Sequence, residues 1–519
     1  MPILKYFNPL LLSGLIVKHT FVAMRYKLFV FIGLFCLLRL NASAANYTFD
    51  YDNNCNRAYQ YYMSMHLAEG NAAIIQEIRQ NPYNLMATFL ADYDDCLVLM
   101  MNGDRGEYEQ RKDHFDERLD LISKGSDNSP WYRLCKAGIY FHWALIHLRF
   151  GENFKAATTF RKSYQLLKEN QEKFPDFDYN KVFYGVEETI AGTIPDSYKW
   201  IAAAFGIKGD VKKGVSLLGT FLNSHNNNDP LHLEAVILDV YLRFYLSHQQ
   251  PQVWDFLNSD QFPTNNNLVN LYIKTNIAVN YRKADIAIAL LKSNQASPDY
   301  NRYPMFDYNL ANALFLKLDP SCIYYFQRYL KNDKSKTYIK DCWQKLALMY
   351  YMDHNMQQAN YCRSRISGEG NAQVDADKQA KRFGENNNWP NLTLLAARLL
   401  IDGGYNAEAF SKLNSVTEKS FNNNTDKLEY YFRLGRVYDE MNNEAKAIQC
   451  YRTTINMGRY QPEQFAARAA LQMGFYYERT GRKKEAIDSY KECLQMHDHD
   501  YQASIDQQAK AGINRLSEN

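Results

Sequence analysis

The chain has 519 residues and a formal net charge of +3, with 23% charged and 46% hydrophobic residues. Its first 44 residues hold five basic residues and no acidic one, so the remainder has 55 basic residues against 57 acidic ones and a net charge of −2. That balance removes the electrostatic support for nucleic-acid binding, and the length favours a fold that grows by repetition over one compact core.

The N-terminus has the layout of a secretory signal peptide. Met24–Lys27 is a basic start, Leu28–Leu38 is an uninterrupted apolar run, and residues 42–44 (Ala-Ser-Ala) form a small-x-small cleavage site. We expect residues 1–44 to be an N-terminal extension plus signal peptide, with Met24 as the natural start; alternatively, the longer N-terminus is real. An uncleaved membrane anchor is a second alternative, although the run is shorter than the ~20 residues that span a bilayer.

After the leader, the whole chain is predicted to be helical. Residues 45–129 form a helical N-terminal segment, in which apolar residues such as Leu85 and Phe89 recur at helical spacing. Residues 130–330 are predicted to be diverged hairpins, and residues 331–519 to be better preserved hairpins with a capping helix. No period-2 pattern of convincing length occurs, so no strand is predicted.

One spacing recurs along the chain and predicts paired helices. Six times, a small residue is followed by another small residue 12 positions later, which lets two helices cross closely. The pairs are Ala144 and Ala156, Ala202 and Gly214, Ala347 and Ala359, Ala397 and Ala409, Gly435 and Ala447, and Gly474 and Ala486. A larger side chain stands three residues after each first site and four after each second site, on the same helical face. Arg363 breaks this pattern, so we expect its hairpin to be the weakest.

The last two hairpins follow one template. The first reads Tyr431-x2-Leu434-Gly435-x2-Tyr438 and continues with Ala447 and Tyr451; Met473, Gly474, Tyr477, Ala486 and Tyr490 repeat it 39 residues later. This template resembles the tetratricopeptide repeat (TPR), which has a period of about 34 residues. Tyr501–Leu516 carries a single apolar stripe, as a terminal capping helix does. The predicted fold is all-α, a TPR-like helical-hairpin solenoid with a C-terminal capping helix.

The TPR resemblance implies partner binding in a concave groove lined by the first helix of each hairpin. Aromatic residues alternate with arginines at the predicted groove positions, a mixture enriched at binding hot spots. The predicted partner-binding residues are Trp200, Tyr351, Arg398, Phe432, Arg433, Arg436, Phe475 and Arg479. The groove lacks the clamp that TPR chaperone adaptors use for a terminal carboxylate, because Phe432 and Arg436 stand where Lys and Asn are expected.

With its leader, the chain resembles the secreted TPR proteins of Gram-negative bacterial envelopes. The resemblance implies an extracytoplasmic protein–protein interaction scaffold in the periplasm or at the outer-membrane periphery. Its partner would be another protein or a peptide segment, which could link it to the outer membrane, and not a nucleic acid. An uncleaved signal would instead anchor it in the inner membrane. Two alternatives stay open: an outer-membrane-associated glycan-capture protein, although no lipobox or large loop insertion is evident, and an enzyme with a site in the N-terminal half.

Motifs for catalysis and cofactor binding are absent. The chain has no Gly-x-Ser-x-Gly, no phosphate-binding glycine loop and no His-Glu-x2-His, so we expect no enzymatic activity and no cofactor. His497–Asp500 is predicted to be a polar loop and not a metal site. Asp92, Asp94, Asp95 and Asp104 lack the spacing of a calcium loop, and we expect a solvated acidic face.

Eight cysteines remain after the leader, and none belongs to a Cys-x2-Cys motif. Several fall on the packed faces of the predicted helices, so we expect mostly buried thiols. An exported protein can also form disulfides, and Cys342 with Cys362 is the best candidate pair.

Overall fold

The computed structural model describes residues 46–193, 209–247, 249–297 and 299–517. Within these ranges the only β-type contact is an isolated bridge between Thr48 and Asn84. The prediction of an all-α fold is confirmed. The predicted leader, Ala202 and Trp200 lie outside the described residues. None of the helices in the described ranges has the length and hydrophobicity needed to cross a membrane.

The N-terminal part of the chain consists of helices that pair mostly with their sequence neighbours. Their bounds are α1 Asn53–Tyr62, α2 Leu67–Gln80, α3 Leu85–Leu90, α4 Asp92–Asn102, α5 Arg105–Arg111, α6 His114–Ile122, α7 Pro130–Arg149, α8 Asn153–Lys173, α9 Asn180–Gly192, α10 Val211–Ser224, α11 His232–Tyr245 and α12 Gln250–Leu257. Gly214 of α10 packs against Gly185 and Thr189 of α9. The helices predicted for residues 45–129 are present as α1–α6.

The C-terminal part continues the series of hairpins. Its helices are α13 Leu268–Asn280, α14 Ala284–Asn294, α15 Met305–Leu316, α16 Cys322–Asn332, α17 Ile339–Met352, α18 Met356–Gly368, α19 Asp375–Glu385, α20 Leu392–Gly403, α21 Asn406–Asn414, α22 Asn424–Glu440, α23 Glu444–Gly458, α24 Phe465–Arg479, α25 Lys483–Leu494 and α26 Gln502–Ser517. Short 3₁₀ turns lie at Tyr300–Arg302 and Glu418–Ser420.

Asparagine side chains start several of these helices. Asn391 accepts a hydrogen bond from the backbone N–H of Thr393 at 3.0 Å, and Asn423 accepts one from Asp426 at 2.7 Å. Asn443 caps α23 in the same way. Each bond satisfies a backbone donor that the first turn of a helix leaves without a partner. The asparagine-rich connections therefore set the helix starts.

The small residues of the template lie where a tyrosine of the second helix meets the first helix. A Cβ at Gly435 would come 2.6 Å from the ring of Tyr451, and a Cβ at Gly474 would overlap the ring of Tyr490. Both rings are fully buried. In these two hairpins glycine is needed on the first helix because it leaves room for the ring of the second helix.

The hairpin with Arg363 uses a different filler. The Arg363 guanidinium carbon lies 4.4 Å from the ring centre of Phe383 and 4.8 Å from that of Trp389. Phe383 belongs to α19, an additional helix that packs on α17 and α18. The arginine therefore replaces the usual aromatic through cation–π contacts.

The α20–α21 hairpin packs back onto α13 and α15. Gly404 has a φ of +91°, and a Cβ there would overlap the carbonyl oxygen of Arg282, so both the turn and the close approach require glycine. The Tyr405 hydroxyl donates a hydrogen bond to Asp285 at 3.0 Å. This packing brings Arg282, far away in sequence, to the inner side of the last repeats.

The last helix covers the end of the hairpin stack, as predicted. Ile505 and Ala509 of α26 are buried, and Gly512 lies against the Tyr490 ring. Arg515 forms an ion pair with Glu478 of α24 at 2.9 Å.

All eight cysteines of residues 46–517 are free thiols. Six are buried, which confirms the expectation of mostly buried thiols. Cys342 and Cys362 do not form the disulfide that was the best candidate. Burial raises the pKa of the Cys342 thiol well above its ordinary value, so it is a packing residue and not a nucleophile.

Candidate protein-binding surface

Five arginines converge on the inner side of the last repeats. Arg398 belongs to α20, Arg433 and Arg436 to α22, and Arg468 to α24, which are the first helices of three consecutive hairpins. Arg282 joins them from the turn after α13. These five residues are called the arginine cluster below.

These arginines lower one another's pKa values, which indicates that their guanidinium groups are close to one another. Burial, followed by the positive charge of Arg433, lowers the pKa of Arg398. Burial and Arg436 lower the pKa of Arg282 to about 10. The Arg468 side chain is exposed, but the surrounding protein reduces its hydration, and this effect, followed by the positive charges of Arg433 and Arg436, lowers its pKa. The cluster is therefore a region of concentrated positive charge.

Carboxylates neutralise only part of this charge. Glu429 forms an ion pair with Arg433 at 2.8 Å, and Glu440 pairs with both Arg282 and Arg436. The negative charge of Asp402 acts in the opposite direction to the neighbouring arginines and raises the pKa values of Arg282 and Arg398. The cluster thus holds five arginines and three carboxylates.

A further ion pair borders the cluster. Arg479 of α24 lies 2.7 Å from Asp439, and the Tyr451 hydroxyl donates to the same carboxylate at 3.2 Å. Asp439 is 4% exposed, so it is fully engaged inside the repeat. With this pair, the cluster and its border hold six arginines and four carboxylates among the described residues.

Several guanidinium donors in the cluster have no acceptor. Within the described residues, the guanidinium groups of Arg398 and Arg468 donate no hydrogen bond. The Nε of Arg436 is buried and has no hydrogen-bond partner, and the residue as a whole is 8% exposed. A buried donor without an acceptor costs free energy, so the Nε of Arg436 is suited to receive an acceptor from outside. The donors of Arg398 and Arg468 can bind a ligand without breaking a hydrogen bond of the fold.

Tyr501 stands beside the cluster. The guanidinium of Arg468 lies 5.8 Å from its ring centre, and that of Arg382 from α19 lies 5.5 Å away. The tyrosine is 39% exposed and has a φ of +60°. A bulky residue in the left-handed region is strained, and such strain is often found at functional sites.

Five of the predicted binding residues lie in or beside the arginine cluster. Arg398, Arg433 and Arg436 meet in the cluster. Arg479 borders the cluster, and its side chain is 55% exposed. Phe475 is half-buried, with its ring centre 5.8 Å from that of Tyr490.

Two of the remaining positions are not part of this surface. Phe432 is 1% exposed, and its ring packs 5.7 Å from Phe465 of α24. The prediction that Phe432 faces a partner is therefore wrong: this side of α22 packs against the next repeat. Tyr351 stacks on Trp389 at 4.5 Å and donates to the Pro390 carbonyl, so it supports the chain before α20.

Two cluster members were missed in the sequence. Arg468 lies seven residues before Phe475, on the same face of α24, so the helical period could have found it. Arg282 had no such signal, because only the packing of α20 on α13 brings it to this surface.

The acidic residues of α4 form a buried network and not a solvated face. Asp92 is fully buried, and it accepts hydrogen bonds from Arg118 at 2.9 Å and His142 at 2.8 Å. Asp95 is 1% exposed and pairs with Arg118 at 2.6 Å. The prediction of a solvated face is wrong at these two positions, because basic residues from α6 and α7 enclose the carboxylates.

Among the described residues, Asp52, Cys55 and Glu77 form the one group whose spacing could hold a metal ion. Glu77 already accepts amide hydrogen bonds from Asn54, at 3.0 Å, and Asn84, at 2.9 Å. Burial raises the pKa of the Cys55 thiol, which opposes the thiolate form that a metal needs. The chemistry of this group therefore fits a structural hydrogen-bond network better than a metal site.

A tetratricopeptide repeat family model matches residues 428–457 and 467–497. The chain therefore contains two tetratricopeptide repeats, formed by α22–α23 and α24–α25. The search of curated proteins gave no match.

Several solved structures align with most of the length of the chain, at low identity and low TM-score. One is a human IFIT1 dimer with m7Gppp-AAAA, with 13% identity, coverage of 89% of this chain and 80% of that chain, and a TM-score of 0.27. The TPR domain of P58(IPK) has 14% identity, coverage of 82% and 98%, and a TM-score of 0.20. The APC/C hetero-tetramer Cut9-Hcn1 has 11% identity, coverage of 96% and 94%, and a TM-score of 0.22. These values support no inference about the ligand of this chain.

Proposed function

We propose that the chain is an extracytoplasmic protein–protein interaction scaffold that binds a partner protein or peptide on the inner surface of its last repeats. The observation that carries the proposal is the set of guanidinium donors without acceptors on consecutive first helices. Helical repeats stack into extended surfaces suited to holding another chain. The proposal includes no enzymatic activity, in line with the missing catalytic motifs in the sequence.

The export part of the proposal rests on the sequence. A basic start, an apolar run and a small-x-small site precede the repeats in the order of a signal peptide. The proposed location is the periplasm or the outer-membrane periphery, which the resemblance to secreted TPR proteins of bacterial envelopes implies.

A photo-crosslinker placed on the inner surface tests the scaffold function. Phe475 is half-buried there and can be replaced by benzoylphenylalanine, while the same replacement at Tyr460, which is 92% exposed, gives a matched control. In cells of the source organism, we expect the position 475 variant to crosslink one defined protein and the position 460 variant not to do so. The proposal fails if position 475 gives no protein adduct, or if both positions give the same adducts.

A further inference from the structure

We propose that the arginine cluster binds an acidic, extended segment of a partner protein through its Asp or Glu side chains. This inference rests on the proposed scaffold function and specifies the chemistry of the partner. Three observations support it: the excess of arginine over carboxylate, the donors without acceptors, and the polar–aromatic surroundings of the cluster.

The free donors fit carboxylates in both number and position. Arg398, Arg436 and Arg468 lie on three consecutive first helices. The Nε of Arg436 is buried without a partner, and the guanidinium groups of the other two donate no hydrogen bond to the part of the chain that the structure describes. Guanidinium groups bind carboxylates through two parallel hydrogen bonds, and each such pair is stronger than a neutral hydrogen bond. An extended segment that runs across the three helices can therefore offer one carboxylate to each.

The carboxylates already in the cluster oppose a polyanion. Glu429, Glu440 and Asp402 lie among the arginines, and they would repel a ligand with a charge on every unit. A peptide can place neutral residues next to them and acidic residues next to the free guanidinium groups. The net charge of −2 for residues 45–519 likewise gives no long-range attraction for nucleic acid.

Tyr501 completes the site at the side of α26. Its ring lies 5.5 Å from the guanidinium of Arg382 and 5.8 Å from that of Arg468, and the residue is 39% exposed, so it adds accessible apolar area next to the charges. A segment that carries apolar residues between its acids would use both parts of this surface.

The test uses the mature chain, residues 45–519, and two peptides with capped ends. One peptide has four aspartates separated by alanine and tyrosine, and the other has asparagine at the same four positions. Capping removes the terminal carboxylate as a source of binding. The variant pair is Arg398→Gln with Arg468→Gln, because neither guanidinium donates a hydrogen bond in the fold. The matched control is Lys484→Gln with Lys491→Gln on α25, where both lysines are exposed.

We expect the aspartate peptide to bind at least about tenfold more tightly than the asparagine peptide in fluorescence anisotropy, and to weaken as salt rises. The Arg398→Gln and Arg468→Gln double variant should bind the aspartate peptide about tenfold more weakly than the parent, and the lysine control should bind it as the parent does. Equal binding of both peptides, or an arginine pair that binds like the parent, overturns the inference. An oligouridylate that displaces the peptide and binds more tightly also overturns it, in favour of a phosphate ligand.

The two proposals fail in different ways. If position 475 crosslinks a partner but binding of the aspartate peptide does not depend on Arg398 and Arg468, the scaffold function stands and the acidic-segment inference is wrong. If position 475 crosslinks no protein, the scaffold function itself is wrong.

Discussion

His142 offers the sharpest test of how the N-terminal half is held together. Its Nδ1 lies 2.8 Å from Asp92, its Nε2 lies 3.0 Å from Glu234, and the residue is 2% exposed. Both ring nitrogens face carboxylates, so both must donate and the imidazole must be charged. Burial lowers the pKa of His142, but Glu234 and Asp92 outweigh it and raise the pKa from 6.5 to about 10. The charged ring thus joins α4, α7 and α11.

Removal of this charge leaves two buried carboxylates without their common partner. The expected cost of His142→Gln at pH 6 is about 3–5 kcal/mol, as for one partner of a buried ion pair. Because the folded pKa is raised, the contribution of His142 is fully present below about pH 6.5. It is lost as the pH rises towards about 10, by about 1.4 kcal/mol for each pH unit.

Hydrogen exchange of the α4 and α7 amides, corrected for intrinsic exchange rates, measures the local free energy of opening. The control is His114→Gln, because His114 also pairs with an α4 carboxylate, Asp95 at 2.8 Å, but its side chain is 43% exposed. The control should cost at most about 1 kcal/mol. If His142→Gln costs no more than His114→Gln, or if its cost is the same at pH 6 and pH 9, the buried charged ring is refuted.

The other predictions concern the repeat interior and the leader. Ala447→Leu and Ala486→Leu should each destabilise the fold by ~1–3 kcal/mol through overpacking, and an unchanged melting temperature for both would contradict the repeat alignment. Phe432→Ala should lower the free energy of unfolding in urea by ~3–5 kcal/mol, because the ring is buried between repeats. A loss below about 1 kcal/mol would contradict this burial. Export should follow from Met24: fractionation should find the protein outside the cytosol, and a mature N-terminus that retains Leu28–Leu40 would disprove cleavage.

The helices and the repeat interior could be read from the sequence because local rules determine them. Gly435 and Tyr451 lie 16 residues apart on paired helices, so a fixed spacing marks their contact. Asparagine caps and the apolar stripe of α26 act within one or two turns of helix. Such features depend on neighbours in the chain, and periodicity reports them.

The binding surface and the ionic network depend on contacts between distant segments. Helical period alone could not show which side of α22 meets α24, and this side decides that Phe432 is buried. Glu234 lies 92 residues from His142, and no local pattern marks that pair. The acidic run at α4 was therefore predicted to be a solvated face, because the sequence does not show that basic residues of α6 and α7 enclose it.

The arginine cluster also makes a prediction about stability. Arg398 and Arg468 lie near other arginines and gain no hydrogen bond in the fold, and their lowered pKa values mean that the fold disfavours their charge. Arg398→Gln and Arg468→Gln should therefore leave the melting temperature equal to that of the parent or raise it, with a smaller gain at high salt. Arg479→Gln should instead lower it, because Asp439 loses its ion-pair partner. If both glutamine variants in the cluster lower the melting temperature as Arg479→Gln does, these arginines stabilise the fold. If they do not, the chain keeps unfavourable charges that a binding site would explain.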